Sequence, residues 1–162
     1  MIGVTKAFIP YFRTRRSGTF INISSSFGLV GFPTCSVYSA TKFAVDGFSE
    51  SLAYELADFG INVRIIAPGG IKTDFATRSM DTGVHPAYEI LMAKVSAGYS
   101  PEQLERYTPA IDIARVVYEA ATDDKDQLRY IAGKDCIALY DDRLNLGTEK
   151  QYQNIKAMFV SE

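Results

Sequence analysis

The chain has 162 residues, of which 47% are hydrophobic and 22% charged, and its net charge is −2. That length suits one ordinary domain and that composition a folded globular protein. The balanced charge gives no general attraction to nucleic acid or to an anionic membrane, so neither is expected as a partner. No apolar run reaches the roughly 18 residues of a spanning helix.

Residues 1–16 read as a helix, with Ile2, Ala7, Phe8 and Phe12 at helical spacing and Pro10 as a local disturbance. Its charges follow its apolar residues, the reverse of a secretory signal. Arg13, Arg15 and Arg16 suit a solvated helix end, and Ser17-Gly18 breaks the helix. Thr19–Ile23 predicts a strand, Ser24–Gly28 a polar turn, and a loop runs to about Thr34. A long helix is expected from Ser36 to about Asp58, with Val45, Phe48, Leu52 and Leu56 as its apolar stripe and Gly60 as its cap. Ile61–Ala67 predicts a strand buried on both faces, ended by Pro68-Gly69-Gly70.

Residues 71–108 read as irregular, with short helical pieces around 86–96 and 101–106. Ile111–Thr122 predicts a helix with Ile113, Val116, Val117 and Ala120 inward. Leu128–Ile131 is a third strand stopped at Gly133, and a final helix is expected over 147–159. Strands alternating with helices are the grammar of a parallel α/β sheet with crossover helices, here of about three strands.

Cys35 and Cys136 lie far apart without metal-ligand spacing, so free thiols and a cytoplasmic location are expected. His85 is the single histidine, which excludes a histidine metal site and a Ser-His-Asp hydrolase; it reads as a loop residue. Asp123-Asp124 and Asp141-Asp142 read as solvated turns and helix caps, and no metal site is expected.

The chemistry centres on Tyr38-Ser39-Ala40-Thr41-Lys42. Positions i and i+4 share one helix face, so Tyr38 and Lys42 project side by side. An ammonium beside a phenol favours the phenolate, and a helix N-terminus acts in the same sense. Such a pair suits proton transfer to or from a hydroxyl or carbonyl oxygen. Thirteen residues earlier stands Ser25, in the turn leaving the first strand, where open α/β sheets place their ligands. Ser24 and Ser26 match it in composition; only the spacing to Tyr38 selects Ser25. Pro68-Gly69-Gly70-Ile71-Lys72-Thr73 ends the second strand at the same sheet edge, where glycines permit close backbone approach to a ligand.

Asn22-x-Ser24-Ser25, Ser25-x12-Tyr38-x3-Lys42 and Pro68-Gly69-x-x-x-Thr73 together closely resemble the short-chain dehydrogenase/reductase family, strongly over residues 1–75 and more weakly beyond. The resemblance implies a Rossmann-type doubly wound sheet and hydride transfer between NAD or NADP and an alcohol or carbonyl substrate. It implies Tyr38 as general acid/base, Lys42 as the group that lowers its pKa and holds the nicotinamide ribose, and Ser25 as the group orienting the substrate carbonyl. Pro68, Gly69, Ile71 and Thr73 would line the nicotinamide, and residues 74–108 would cover the substrate. The dinucleotide preference stays open. Family members assemble as dimers or tetramers through the helices matching 1–16 and 36–58, which implies a homodimer or homotetramer.

Phe27 and Cys35 are candidate substrate contacts, with plain packing as the competing reading, and Tyr88, Tyr99 and Tyr107 are candidates for the pocket wall. The sequence contains neither the family's Gly-x-x-x-Gly-x-Gly turn nor its Asn-Asn-Ala-Gly segment, and the family's catalytic asparagine would fall just before Met1. Residues 1–162 are therefore expected to form a partial dinucleotide-binding domain, the C-terminal half, lacking the N-terminal nucleotide-binding half. The first strand would then carry an open edge, and cofactor binding by the chain alone would be weak. Two alternatives stay open: a catalytically inactive fragment or association module, and a relative of the nucleotide-sugar epimerases and dehydratases. The Pro68-Gly69-x-x-x-Thr73 segment suits the short dehydrogenases better than the latter.

Overall fold

A computed structural model describes residues 1–80 and 83–160. In chain order the elements are α1 (Ile2–Arg15), β1 (Gly18–Ile23), α2 (Ser36–Leu56), β2 (Ile61–Pro68), β3 (Ile71–Lys72), α3 (Glu89–Ser96), α4 (Pro101–Glu105), β4 (Thr108–Pro109), α5 (Ala110–Thr122), β5 (Arg129–Ala132) and α6 (Lys134–Phe159). The main sheet is β1-β2-β5, all parallel, as the alternation of strands and helices predicts. Gly18 to Ile23 pair in register with Ile61 to Ile66, and Ile65 to Pro68 with Arg129 to Ala132.

The period of two along each strand sorts the core into two layers. Val63 and Ile61 face α1 and α2, where they pack with Leu52, Leu56, Ile9, Phe12, Phe20 and Phe48. Ile66, Tyr130, Ala132 and Ile21 face α5, where they meet Ile113, Val116, Val117 and Ala120. Ile65, Ile66 and Ala67 are wholly buried, as a central strand covered on both faces requires. Gly60 takes the left-handed conformation (φ 66°) that lets the chain turn from the end of the α2 region into β2.

Of the residues whose spacing marked α1, Phe12 packs inward with Ile9 and the buried Thr5, whereas Ile2 and Phe8 are exposed. Pro10 sits inside α1 without ending it. Gly147 (φ 76°) divides α6 into two helices: the second is the helix expected over 147–159, and the first, from Lys134, was not expected. Asp141 and Asp142 lie on its exposed side rather than in a turn, and Gln151 Nε2 donates to the Leu139 carbonyl at 2.7 Å, tying the halves together.

The segment between β2 and α5 is less irregular than expected. β3 and β4 form a parallel two-residue pair, Ile71 opposite Thr108 and Lys72 opposite Pro109. A Lys72–Glu105 ion pair and the Thr108 N–H bond to the Gly70 carbonyl (2.9 Å) reinforce it. At the other side, β1 is an edge strand, paired with β2 on one side and with no strand among the described residues on the other. Among the described residues no helix is long and apolar enough to cross a membrane.

Candidate active site

Parallel strands end on the same side, so the turns after β1, β2 and β5 meet at one edge of the sheet. The turn after β1 holds Ser24, Ser25 and Ser26. The Ser24 N–H donates to the Ile66 carbonyl at 2.7 Å. The same trans peptide unit points the Ile23 carbonyl the opposite way, toward the open edge. There Lys42 Nζ donates to it at 3.2 Å. The Lys42 ammonium also stands 5.6 Å from the centre of the Tyr38 ring, so the i,i+4 pair is joined as its spacing requires. Burial pulls the Lys42 pKa below the ordinary lysine value.

Ser25 is buried, and its Oγ accepts from the Phe27 N–H at 3.2 Å, which leaves its own O–H to donate elsewhere. Ser24 Oγ instead donates to the Lys42 carbonyl at 3.4 Å and holds the turn against α2. Gly28 allows this contact. A β-carbon there would lie 2.3 Å from Ser24 Oγ and 3.0 Å from the Lys42 carbonyl oxygen.

The turn after β2 is filled from behind. Asp135, at the start of α6, accepts from the Gly70 N–H at 2.7 Å. A β-carbon on Gly69 would lie 2.2 Å from the Asp135 carboxylate, and one on Gly70 would lie 2.6 Å from the Tyr107 ring. Asp135 and Tyr107 therefore pack directly against these glycines, a contact the expectation of ligand approach did not include. Thr73 Oγ1 accepts from the Phe75 N–H at 3.4 Å.

A cavity of about 850 Å³ opens beside this edge, lined by Phe27, Phe32, Tyr99, Tyr107 and Phe159 among others. Phe27 touches Tyr38 edge-on, with ring centres 6.1 Å apart. Of the three tyrosine candidates, Tyr99 and Tyr107 line the cavity; Tyr88 is exposed and packs on His85. His85 Nδ1 accepts from the Ala87 N–H in a short turn, consistent with its reading as a loop residue. Cys35 sits at the start of α2, half-buried, and burial raises its thiol pKa despite a Thr34 hydrogen bond. Ser26, rather than Ser25, is among the cavity-lining residues.

Sequence reasoning missed a clamp on α2. Tyr38, Lys42, Asp46 and Glu50 form one i+4 stripe on α2. Arg129 of β5 donates to Asp46 at 3.0 Å and to Glu50 at 2.8 Å across β2. Asn22 Nδ2 donates to Ser49 Oγ at 2.8 Å and adds a second buried tie between α2 and the sheet. The two acids continuing the Tyr-Lys spacing were the available signal.

Parallel strands whose carboxyl ends gather a serine turn, a Tyr-x-x-x-Lys helix and a Pro-Gly turn define a Rossmann-like α/β domain with its ligand edge there. The model of the short chain dehydrogenase family matches residues 1–83. An uncharacterized oxidoreductase of Schizosaccharomyces pombe is 40% identical over 131 residues, 80% of this chain and 55% of that protein. A short-chain dehydrogenase from Streptomyces avermitilis superposes with a TM-score of 0.72 at 30% identity, over 94% of this chain and 56% of that one. ElxO, solved with NADP bound, superposes with a TM-score of 0.56 at 30% identity, over 78% and 48%. The chain belongs to the short-chain dehydrogenase family. It spans about half the length of the curated relatives it matches.

Proposed function

We propose that this chain carries the proton-transfer side of an NAD- or NADP-dependent oxidoreductase that interconverts an alcohol and a carbonyl. The carrying observation is the Lys42 ammonium held 5.6 Å from the centre of the Tyr38 ring at the carboxyl edge of a parallel sheet. Tyr38 Oη gives its proton to the substrate oxygen during reduction and takes one back during oxidation. Lys42 stabilises the phenolate left behind. The Ser25 O–H, free to donate, orients the substrate oxygen. The bound nicotinamide supplies or accepts the hydride.

The residues present suit the nicotinamide end of the dinucleotide. Lys42 makes one bond, to Ile23, and its ammonium has further N–H groups for ribose hydroxyls. The Gly69 N–H donates to Ala132 and the Gly70 N–H to Asp135. Contacts to the ring and its carboxamide therefore fall to Pro68, Ile71 and Thr73, with Gly69 shaping the turn. Both dinucleotides share the nicotinamide ribose, so these groups serve either one. The oxidoreductase names of the relatives favour this reading over an epimerase or dehydratase.

The open edge of β1 supports a second element. Residues 1–162 act as the C-terminal half of such a domain, and a nucleotide-binding half pairs along β1. By itself the chain would then be inactive, or would act as an association module. The exposed Ile2, Val4 and Phe8 of α1 and Val37, Phe43 and Tyr54 of α2 offer apolar surface for a homodimer or homotetramer.

Calorimetric titration with NADH and NADPH tests both elements, on the chain and on a version extended upstream, with turnover measured alongside. Micromolar binding and turnover are expected for the extended version only. Micromolar binding by the chain alone would contradict the half-domain reading. Absence of binding and turnover in both would contradict the oxidoreductase reading.

A further inference from the structure

The cavity beside Tyr38 has an unusual wall. Phe27 and Phe32 lie nearly parallel, with ring centres 5.1 Å apart and planes 10° apart. Phe159 meets Phe32 edge-on at 5.1 Å, and Phe27 meets Tyr38 edge-on at 6.1 Å. These rings come from the turn after β1, the following loop, α2 and the far end of α6, so no single element's periodicity accounts for them. Tyr99 closes the cavity from the covering segment. Its position is set by Tyr107, whose O–H donates to the neighbouring Gly98 carbonyl at 3.1 Å while its ring lies against Gly70.

Burial, with Cys35, Tyr107 and Tyr38 nearby, pushes the Tyr99 phenol up to about 12, so this wall is uncharged at physiological pH. Lys94, Arg106, Asp112, Lys134 and Asp135 supply the charged part of the cavity lining. The cavity, about 850 Å³, is half open to solvent and has room for more than a small alcohol.

We propose that the site selects a planar aromatic alcohol or carbonyl compound of at least two fused rings, with Tyr99 as the specificity-determining wall. This rests on the oxidoreductase reading for the reaction but not for the binding. Aromatic rings gain offset-stacked and edge-to-face contacts beyond the burial of their area. A saturated ring system of the same skeleton buries at least as much apolar surface but cannot make those contacts. Burial alone would therefore favour the saturated compound, and ring recognition the aromatic one.

The test is calorimetric binding of 2-acetylnaphthalene and of its decahydro counterpart to the full chain without cofactor. The naphthyl ketone is expected to bind about tenfold more tightly, the scale of one or two ring contacts. Tyr99→Leu should reduce that preference to about twofold or less, and Tyr99→Phe should retain it. Equal affinities, binding of neither compound, or an equal loss of both in Tyr99→Leu would overturn the proposal. Loss of the preference with intact nicotinamide binding would sink the substrate class alone. Retained preference without nicotinamide binding, in the extended version as well, would sink only the oxidoreductase reading.

Discussion

Gly28 and Lys42 are in backbone contact: a β-carbon on Gly28 would stand 3.0 Å from the Lys42 carbonyl oxygen and 3.1 Å from its carbonyl carbon. The serine turn therefore packs closely against the Tyr-Lys helix. The distance between Ser25 and the Tyr38–Lys42 pair depends on that approach.

Gly28→Ala is expected to push the turn from α2, because the obstructing atoms include helix backbone as well as Ser24 Oγ. Overpacking of this kind costs about 1–3 kcal/mol. Urea unfolding should show that loss, and a variant as stable as the parent would show that the turn has room to spare.

Arg129 holds α2 through Asp46, whose side chain is 8% exposed, and through Glu50, which is 42% exposed. Arg129→Met leaves the Asp46 carboxylate buried without its cation. The expected loss is about 3 kcal/mol, the low end for breaking a buried pair because Glu50 stays in contact with water. Adding Asp46→Leu removes the stranded charge and should recover much of that stability. Denaturant midpoints of the single and double variants check this; a double variant no better than the single would contradict the stranded-charge explanation.

The two thiols should differ in reactivity. Cys136 is buried, its Sγ donates to the Ala67 carbonyl at 3.3 Å, and burial with Asp135 nearby pushes its pKa from 9.0 to about 12. A thiol raised in the folded state stabilises the fold below its unfolded pKa of 9.0, and that contribution is lost as pH rises from about 9 toward about 12. At pH 8 its thiolate fraction is roughly a thousandfold below that of a free cysteine. Cys35 is raised as well but is only half-buried. Disulfide-reagent kinetics at pH 8 should therefore label Cys35 first and Cys136 only on unfolding. Comparable native rates would show that the Cys136 environment is open.

Much of the architecture was legible because local signals and tertiary demands agree. β2 is a nearly continuous apolar run, interrupted by Asn62 and Arg64, because both its faces are covered, and α2 repeats apolar residues because one face lies on β1 and β2. Tyr38 and Lys42 were legible for a similar reason: an i,i+4 pair on one helix faces one way whatever surrounds it. What escaped depends on contacts far apart in sequence. Arg129 meets Asp46 across 83 positions, and Asp135 meets Gly70 across 65, so neither is visible in any window of the chain. In α1 the spacing of Ile2, Ala7, Phe8 and Phe12 marked the helix but not its inward face, where small Thr5 takes the buried position. β3 and β4, of two residues each, are too short to carry a periodicity.

The central claim is that Tyr38 is the group that moves the proton. Its most direct test is Tyr38→Phe in the extended, catalytically competent version, with kcat and dinucleotide affinity measured together. The phenyl ring preserves packing on Phe27 and under Lys42 and removes only the hydroxyl, so kcat should fall by about a hundredfold or more while the dinucleotide Kd stays within about twofold. Near-normal turnover in Tyr38→Phe would contradict the account.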